Sequence, residues 1–126
     1  MKIWGISIAV LAALLALSLL NSAYLSRCCA QWNAQLVEID QYVQQEDWQA
    51  ACEKLNRFTE SWDKQQTYLH IVIEHQEIDN AQALIQKSLI LAQEADASEF
   101  RVNNAELLSQ LTLLDEMERL SIKNVL

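Results

Sequence analysis

The scarcity of glycine and proline constrains the fold of this chain more than any other feature of its sequence. Among 126 residues there is one glycine, Gly5, and no proline. Tight β-hairpin turns depend on such residues, whereas the abundant alanine, leucine, glutamine and glutamate favour helices. The sequence therefore predicts an all-α protein whose helices are joined by short polar connections.

The first apolar stretch is long enough to cross a membrane. Residues 3–20 carry no charge, and only Ser7 and Ser18 are polar. As a helix at ~1.5 Å per residue they extend roughly 27 Å. We therefore predict a transmembrane anchor over residues 1–25 and a helical soluble domain over residues 26–126. A cleaved signal peptide is the alternative, but the apolar run is longer than a typical signal core and residues 21–23 make a poor cleavage site.

The charges on either side of this segment predict its orientation. Lys2 and the amino terminus lie before it, whereas Arg27 after it is offset by Glu38 and Asp40. By the positive-inside rule, the N terminus is then cytoplasmic and the C-terminal domain extracytoplasmic. The prediction is a single-pass protein of the cytoplasmic membrane.

The remainder of the chain is acidic, which excludes some classes of partner. From Asn21 onward there are 17 acidic and 8 basic residues, so this part carries a formal charge of 8 − 17 = −9. Such a surface disfavours nucleic acid and anionic lipid surfaces as partners. We predict no cofactor and no small-molecule substrate, and self-association of the chain stays possible.

Apolar residues at helical spacing follow the membrane segment without interruption. The first stripe alternates steps of four and three residues, which predicts one long helix from the membrane segment onward. It consists of Leu25, Cys29, Trp32, Leu36, Ile39 and Val43. Three further helices are predicted from the stripes Trp48, Cys52, Leu55, Phe58 or Thr59, and Trp62; Leu69, Val72 and Ile73; and Ile78, Ala81, Ile85, Leu89 and Ala92. The last helix carries Phe100, Leu107, Leu111, Leu114 and Met117.

Polar residues mark where two of these helices begin. Glu46 and Asp47 suit the N terminus of the second helix, and Asp96 with Glu99 resembles a capping box for the last. The apolar tail residues Ile122, Val125 and Leu126 are predicted to dock on the helices. Together the patterns predict an N-terminal transmembrane helix that continues into an antiparallel bundle of four to five helices.

Three cysteines leave several possibilities open. Cys28 and Cys29 are adjacent, Cys52 is isolated, and no CxxC motif is present. Outside the cytoplasm, Cys52 could bridge to one of the pair, or a disulfide could join two chains; on the inner face the adjacent pair would be candidates for palmitoylation. We favour a packing role, because such cysteines behave as small apolar residues.

A polar cluster around His75 is the one candidate for chemistry. On a continuous helix His70 and His75 lie roughly 140° apart, so we expect them not to share a metal ion. His75 and Asp79 do share a face, and a metal- or ligand-binding enzyme using them is the alternative function. The favoured interpretation is structural: Gln76, Glu77, Asp79 and Asn80 end one helix and start the next, with Asp79 or Asn80 as the cap.

No nucleophile motif or phosphate-binding loop accompanies this cluster, so we predict that the protein is not an enzyme. The candidate residues instead form a structural or partner-contact motif. They are His75, Gln76, Glu77, Asp79, Asn80, Trp48 and Trp62. A partner is expected to contact the exposed half of the stripe over residues 32–43, or a groove near His75.

Several of these segments resemble one family. They are "EDWQAA" at residues 46–51, "WDK" at residues 62–64, "HQEIDN" at residues 75–80 and "KNVL" at residues 123–126. In this order, after a membrane segment, they resemble the domain of unknown function 4363 (DUF4363) family. The resemblance implies a small, membrane-anchored protein of Gram-positive, spore-forming bacteria, a spore-related role and a multi-pass membrane partner. It implies no catalytic residues; Tyr68 and the cysteines depart from the family pattern.

Overall fold

The computed structural model describes residues 2–125, without the side chains of residues 121, 122 and 125. The predicted docking of Ile122, Val125 and Leu126 therefore lies outside the described residues. Within residues 2–125 the chain forms five helices and no strand, which confirms the all-α prediction. The helices are α1 (Lys2–Gln44), α2 (Trp48–Lys64), α3 (Gln66–Val72), α4 (His75–Gln93) and α5 (Ala97–Val125).

Four of the helices form an up-down-up-down bundle. The α1 helix packs against α2 and α5, and α4 packs against the same two helices from the other side. We call the end from which the apolar segment of α1 projects the near end, and the opposite end the far end. The short α3 lies at the near end, and the α1–α2 and α4–α5 turns lie at the far end.

The predicted stripe of α1 is the centre of the bundle. All six of its residues, from Leu25 to Val43, are at most 2% exposed. The prediction that this stripe packs in a helical core is confirmed. The prediction that half of it is free to contact a partner is wrong, because α2 and α5 cover it completely.

The first half of α1 differs from the second in its surroundings. Apart from the half-buried Leu15, its large apolar side chains between Ile3 and Leu20 are 49–77% exposed. The helix is long and apolar enough there to cross a membrane. The predicted continuity of the membrane segment with the first bundle helix is confirmed, since α1 has no break between Lys2 and Gln44.

The two far-end turns have the same construction. Glu46 and Ala95 each follow a helix in the left-handed conformation, with φ of 60° and 54°. Backbone N–H groups then bond back into the preceding turn, from Asp47 to the Tyr42 carbonyl and from Asp96 to the Leu91 carbonyl. This is the Schellman arrangement, here built without glycine.

In both turns the next residue is an aspartate that caps the following helix. The carboxylate of Asp47 accepts from the N–H of Ala50, and that of Asp96 accepts from the N–H of Glu99, each at 3.2 Å. Both predicted helix starts are confirmed. Of the two bonds of a capping box, the one from the Glu99 N–H to the Asp96 carboxylate is present. The reciprocal bond is replaced, because the N–H of Asp96 donates to the Leu91 carbonyl.

At several positions the observed burial differs from that predicted by the stripes. Trp48, Cys52 and Leu89 are half-buried, whereas Ala51, Ser88 and Leu91 are buried in the core. Asn103 and Asn104 are each 2% exposed. Asn103 donates to Ser88 Oγ at 2.7 Å, and Asn104 donates to the Leu36 carbonyl at 3.0 Å. Buried amides thus fix α5 against both α4 and α1.

The cysteines are all free thiols. The pairing of α1 with α2 is fixed by Trp32 donating to Ser61 and by the ion pair of Lys54 with Glu38. This register places Cys52 opposite about residue 40, some 18 Å along α1 from Cys28 at ~1.5 Å per residue. A disulfide needs Cα atoms within about 7 Å, so an intrachain bridge from Cys52 does not fit this fold.

Candidate functional site at the near end of the bundle

The chain turns at the near end through two extended residues. Ile73 has φ −118° and ψ 148°, and Glu74 has φ −60° and ψ 133°. The sequence Ile71-Val72-Ile73 is β-branched, which favours extended backbone once the helix ends. The new helix therefore begins at His75. The predicted start near Asp79 or Asn80 is wrong, since the N-cap position belongs to Glu74 and makes no side-chain capping bond.

This break brings the two histidines together. His70 Nδ1 and His75 Nδ1 lie 2.9 Å apart, and their exposed rings have centroids 4.8 Å apart. The predicted separation of about 140° was wrong because it assumed a single continuous helix. A neutral pair shares one proton in an N–H···N hydrogen bond, whereas two protonated rings would repel.

The same spacing could place two nitrogens on one metal ion, since cis ligands at ~2.0–2.1 Å lie about 3 Å apart. Among residues 2–125, however, no group of three potential ligands surrounds a common point. The pair alone would leave most of the coordination to water.

The other members of the predicted motif have separate roles. Gln76 donates to Asn80 Oδ1 at 3.1 Å, one turn along the exposed face of α4, and Asp79 is also exposed. Glu77 instead connects two helices, because Gln110 of α5 donates to its carboxylate at 2.8 Å and to its carbonyl at 3.0 Å. The motif is therefore a surface of α4 and one link to α5, not a shared cleft.

The two tryptophans also lie in different places. Trp62 is fully buried, its indole N–H donates to Gln82 Oε1 at 2.7 Å, and its ring lies 5.2 Å from that of Trp32. Trp48 lies at the far end and meets Phe100 edge to face at 5.9 Å. Neither ring adjoins the histidine pair, so the residues predicted as one motif do not form one site.

Sequence reasoning missed a set of contacts that joins α1, α3 and α5 where α1 enters the bundle. We call it the near-end network. It consists of Asn21, Tyr24, Ser26, Gln65, Tyr68, Asp115, Glu118 and Arg119. The hydrogen bonds that join its helices connect residues 41 to 97 positions apart in the sequence, so no local pattern indicates it.

Asn21 is the centre of this network. Tyr68 of α3 donates to the Asn21 carbonyl at 3.0 Å and also contacts its side-chain oxygen. The Asn21 amide donates to Glu118 of α5 at 3.1 Å. Tyr24, one turn later, meets Tyr68 edge to face at 5.0 Å and donates to Gln65 at 2.8 Å. Three helices are thus held together at the residue that follows the apolar segment.

A second group of contacts lies one turn deeper in the bundle. Ser26 donates to Asp115 at 2.5 Å, and Arg119 donates to Ser26 and pairs with Asp115 at 3.3 Å. Beneath it, burial and the nearby Asp115 raise the pKa of the Cys29 thiol to about 12. Burial and Glu118 likewise raise the pKa of Tyr68 to about 12. Both groups are therefore neutral hydrogen-bonding or apolar groups at physiological pH.

Comparison with known proteins identifies one match. The family model described as "Domain of unknown function (DUF4363)" matches residues 19–125. The match begins just before the near-end network and covers the whole bundle. No curated protein and no solved structure matches the chain.

Proposed function

The chain belongs to the DUF4363 family, and we propose that it is a single-pass accessory protein whose bundle is mounted rigidly at the outer face of the cytoplasmic membrane. The observation that carries the proposal is α1 itself. One helix supplies both the exposed, uncharged apolar segment and the buried centre of the bundle, with no linker between them. A bundle that is attached by its own core helix cannot rotate freely on its anchor.

The near-end network supports this mounting. It ties α1 to α3 and α5 at Asn21, directly after the apolar segment, through bonds to Tyr68 and Glu118. The position of any bundle surface relative to the apolar segment is then fixed by packing. A protein with this construction is suited to contact a partner in the membrane and outside it at the same time.

The surface best suited to such a partner is a groove between α1 and α5 of about 630 Å³. Val37 and Leu113 are 48% and 39% exposed there, and polar Asn33 and Thr112 border them. Because α1 contributes both this groove and the apolar segment, one partner could follow the helix from membrane to bundle. We propose a multi-pass membrane protein or a second copy as the partner, and a non-enzymatic role. A spore-related setting, implied by the family resemblance, stays a prediction.

The experiment that tests anchoring and orientation is a topology assay on the full chain. An alkaline phosphatase fused after Leu126 should be active, and the fusion should resist alkaline extraction from membranes. Leu14→Arg places a charge in the middle of the apolar segment and should release the protein or prevent its insertion. The matched control is Ile90→Arg on the bundle surface, which should leave insertion unchanged. An inactive phosphatase with intact insertion would reverse the proposed orientation, and easy extraction would contradict anchoring.

A metal- or ligand-binding enzyme is the second candidate, and the histidine pair is the observation that favours it. His70 and His75 replace the predicted His75 and Asp79 as its ligands, since their Nδ1 atoms lie 2.9 Å apart. Titration of the full chain with Zn²⁺ and with Ni²⁺ tests it by calorimetry. Binding that is abolished by His70→Ala but not by Asp79→Ala would support a metal site there. No heat change in the native chain would exclude it.

A further inference from the structure

The end of α5 extends past the point where α1 leaves the bundle. Glu118 of α5 bonds to Asn21 of α1, and Asp115 bonds to Ser26, so the two helices run antiparallel in a fixed register. After Glu118 the helix continues to Val125. Seven further residues at ~1.5 Å each extend it by roughly 10 Å along the apolar segment, to about the level of Leu15.

The exposure of side chains along the apolar segment gives independent evidence for this overlap. Among residues 2–20, Leu15 alone is half-buried, and every other residue is exposed. A local contact in the middle of an otherwise uncovered helix is expected where a second helix lies beside it. The last turns of α5 are the element that the register places there.

The overlap is difficult to reconcile with a bundle that stays wholly in water. If the membrane ended before the level of Leu15, the span would be residues 3–14, roughly 18 Å long at ~1.5 Å per residue. The hydrocarbon core of a bilayer is about 30 Å thick. Residues 15–20 are therefore needed to cross the hydrocarbon core. Because the end of α5 lies beside these residues, it also reaches the membrane.

We propose that the last turns of α5, from Leu120 to Val125, form a second membrane contact that enters the outer edge of the hydrocarbon core beside residues 15–20 of α1. This inference rests on the anchoring proposed for α1. Two of the exposed residues of these turns suit that depth. Leu120 presents an apolar side chain that is 57% exposed, and Lys123 can extend its ammonium group to water along an apolar stem. Two helices at the surface then fix the tilt of the bundle, which one helix alone does not.

The test places an environment-sensitive probe at single cysteines of the full chain in phosphatidylcholine vesicles. The background carries Cys28→Ser, Cys29→Ala and Cys52→Ser, and its helicity is first compared with that of the native chain by circular dichroism. Probes are attached at Leu120→Cys, at Val102→Cys and at Leu11→Cys. Val102 is the matched control, because it lies on the same helix with the same 57% exposure but toward the far end.

We expect blue-shifted emission and quenching by shallow nitroxide lipids at position 120, quenching by deep nitroxides at position 11, and neither at position 102. If position 120 behaves like position 102 while position 11 is deeply buried, the second contact is absent although the anchor is correct. If position 11 is also in water, anchoring itself fails, and with it the basis of this inference.

Discussion

At the far end of the bundle two turns of the same construction join α1 to α2 and α4 to α5, whereas the near end uses an additional helix and contacts among three helices. The far-end turns need only backbone bonds, one left-handed residue and one capping aspartate each. The near end adds α3, the histidine pair and the near-end network around Asn21. The far end connects helices, while the near end also holds the apolar segment.

The largest effect in this comparison is expected at the buried residue that fixes α3 to the bundle. Leu69 is fully buried, so Leu69→Ala should lower the free energy of unfolding by about 2–5 kcal/mol. The neighbouring exposed His70→Ala should change it by less than about 0.5 kcal/mol. Thermal unfolding of the full chain in mild detergent, followed by circular dichroism, measures both. Similar melting temperatures for the two variants would mean that α3 is not packed as described.

A smaller effect is expected from the near-end hydrogen bonds. Tyr68→Phe removes the donor to Asn21 and should cost about 1 kcal/mol, while it keeps the ring contact with Tyr24. Tyr24→Phe is the control, because its hydroxyl bonds to Gln65 on an exposed surface and should cost less than about 0.5 kcal/mol. The same melting experiment compares them. Equal losses would show that Asn21 is no more important than the surface around it.

Alkaline pH should destabilise the folded chain through the buried thiol of Cys29. The Cys29 pKa is raised from 9.0 to about 12, so the unfolded chain loses this proton above about pH 9 while the folded chain keeps it up to about pH 12. The unfolded state then binds fewer protons, and stability falls as pH rises through that window. Melting temperatures measured from pH 8 to pH 11 should decline, and Cys29→Ala should reduce the slope. An unchanged slope in that variant would assign the decline to other groups.

The smallest effect is expected at the far-end turn between α4 and α5, where Ala95→Gly is compared with the same substitution inside a helix. Ala95 has φ 54°, a conformation that glycine adopts without strain, so Ala95→Gly should stabilise the protein by about 0.5–1 kcal/mol. Ala105 lies inside α5, where Ala105→Gly should cost about 1 kcal/mol. Denaturant titration of the two variants gives the comparison. A loss of stability in both would argue against the left-handed turn.

The difference between locally determined features and contacts among distant residues explains which parts of the fold the sequence could predict. The stripe from Leu25 to Val43 was predicted residue by residue, because a regular spacing of four and three residues needs no knowledge of the partner helices. Asp47 and Asp96 were predicted as helix starts because capping is local. The left-handed residues between helices were not foreseen, since Glu46 and Ala95 replace the glycine that usually marks such turns.

The near end was the least predictable part of the fold. No glycine or proline marks the helix break at Ile73 in the sequence. The prediction therefore assumed a continuous helix and assigned the two histidines to different faces of it. The near-end network joins residues as distant as Asn21 and Glu118, so no local pattern could indicate it. Trp48 and Trp62 were grouped with His75 because they share helical spacing and family resemblance, but packing places them in different parts of the bundle.

Rigid attachment of the bundle to its membrane helix is tested most directly by hydrogen exchange along α1. The full chain is placed in lipid nanodiscs, and amide exchange is followed for residues 15–32 by mass spectrometry. We expect continuous protection from the apolar segment through Asn21 to Trp32, and a local loss of protection around Asn21 in Tyr68→Phe. Rapid exchange between Leu20 and Ser26 in the native chain would reveal a hinge and contradict a bundle that is mounted rigidly on the membrane.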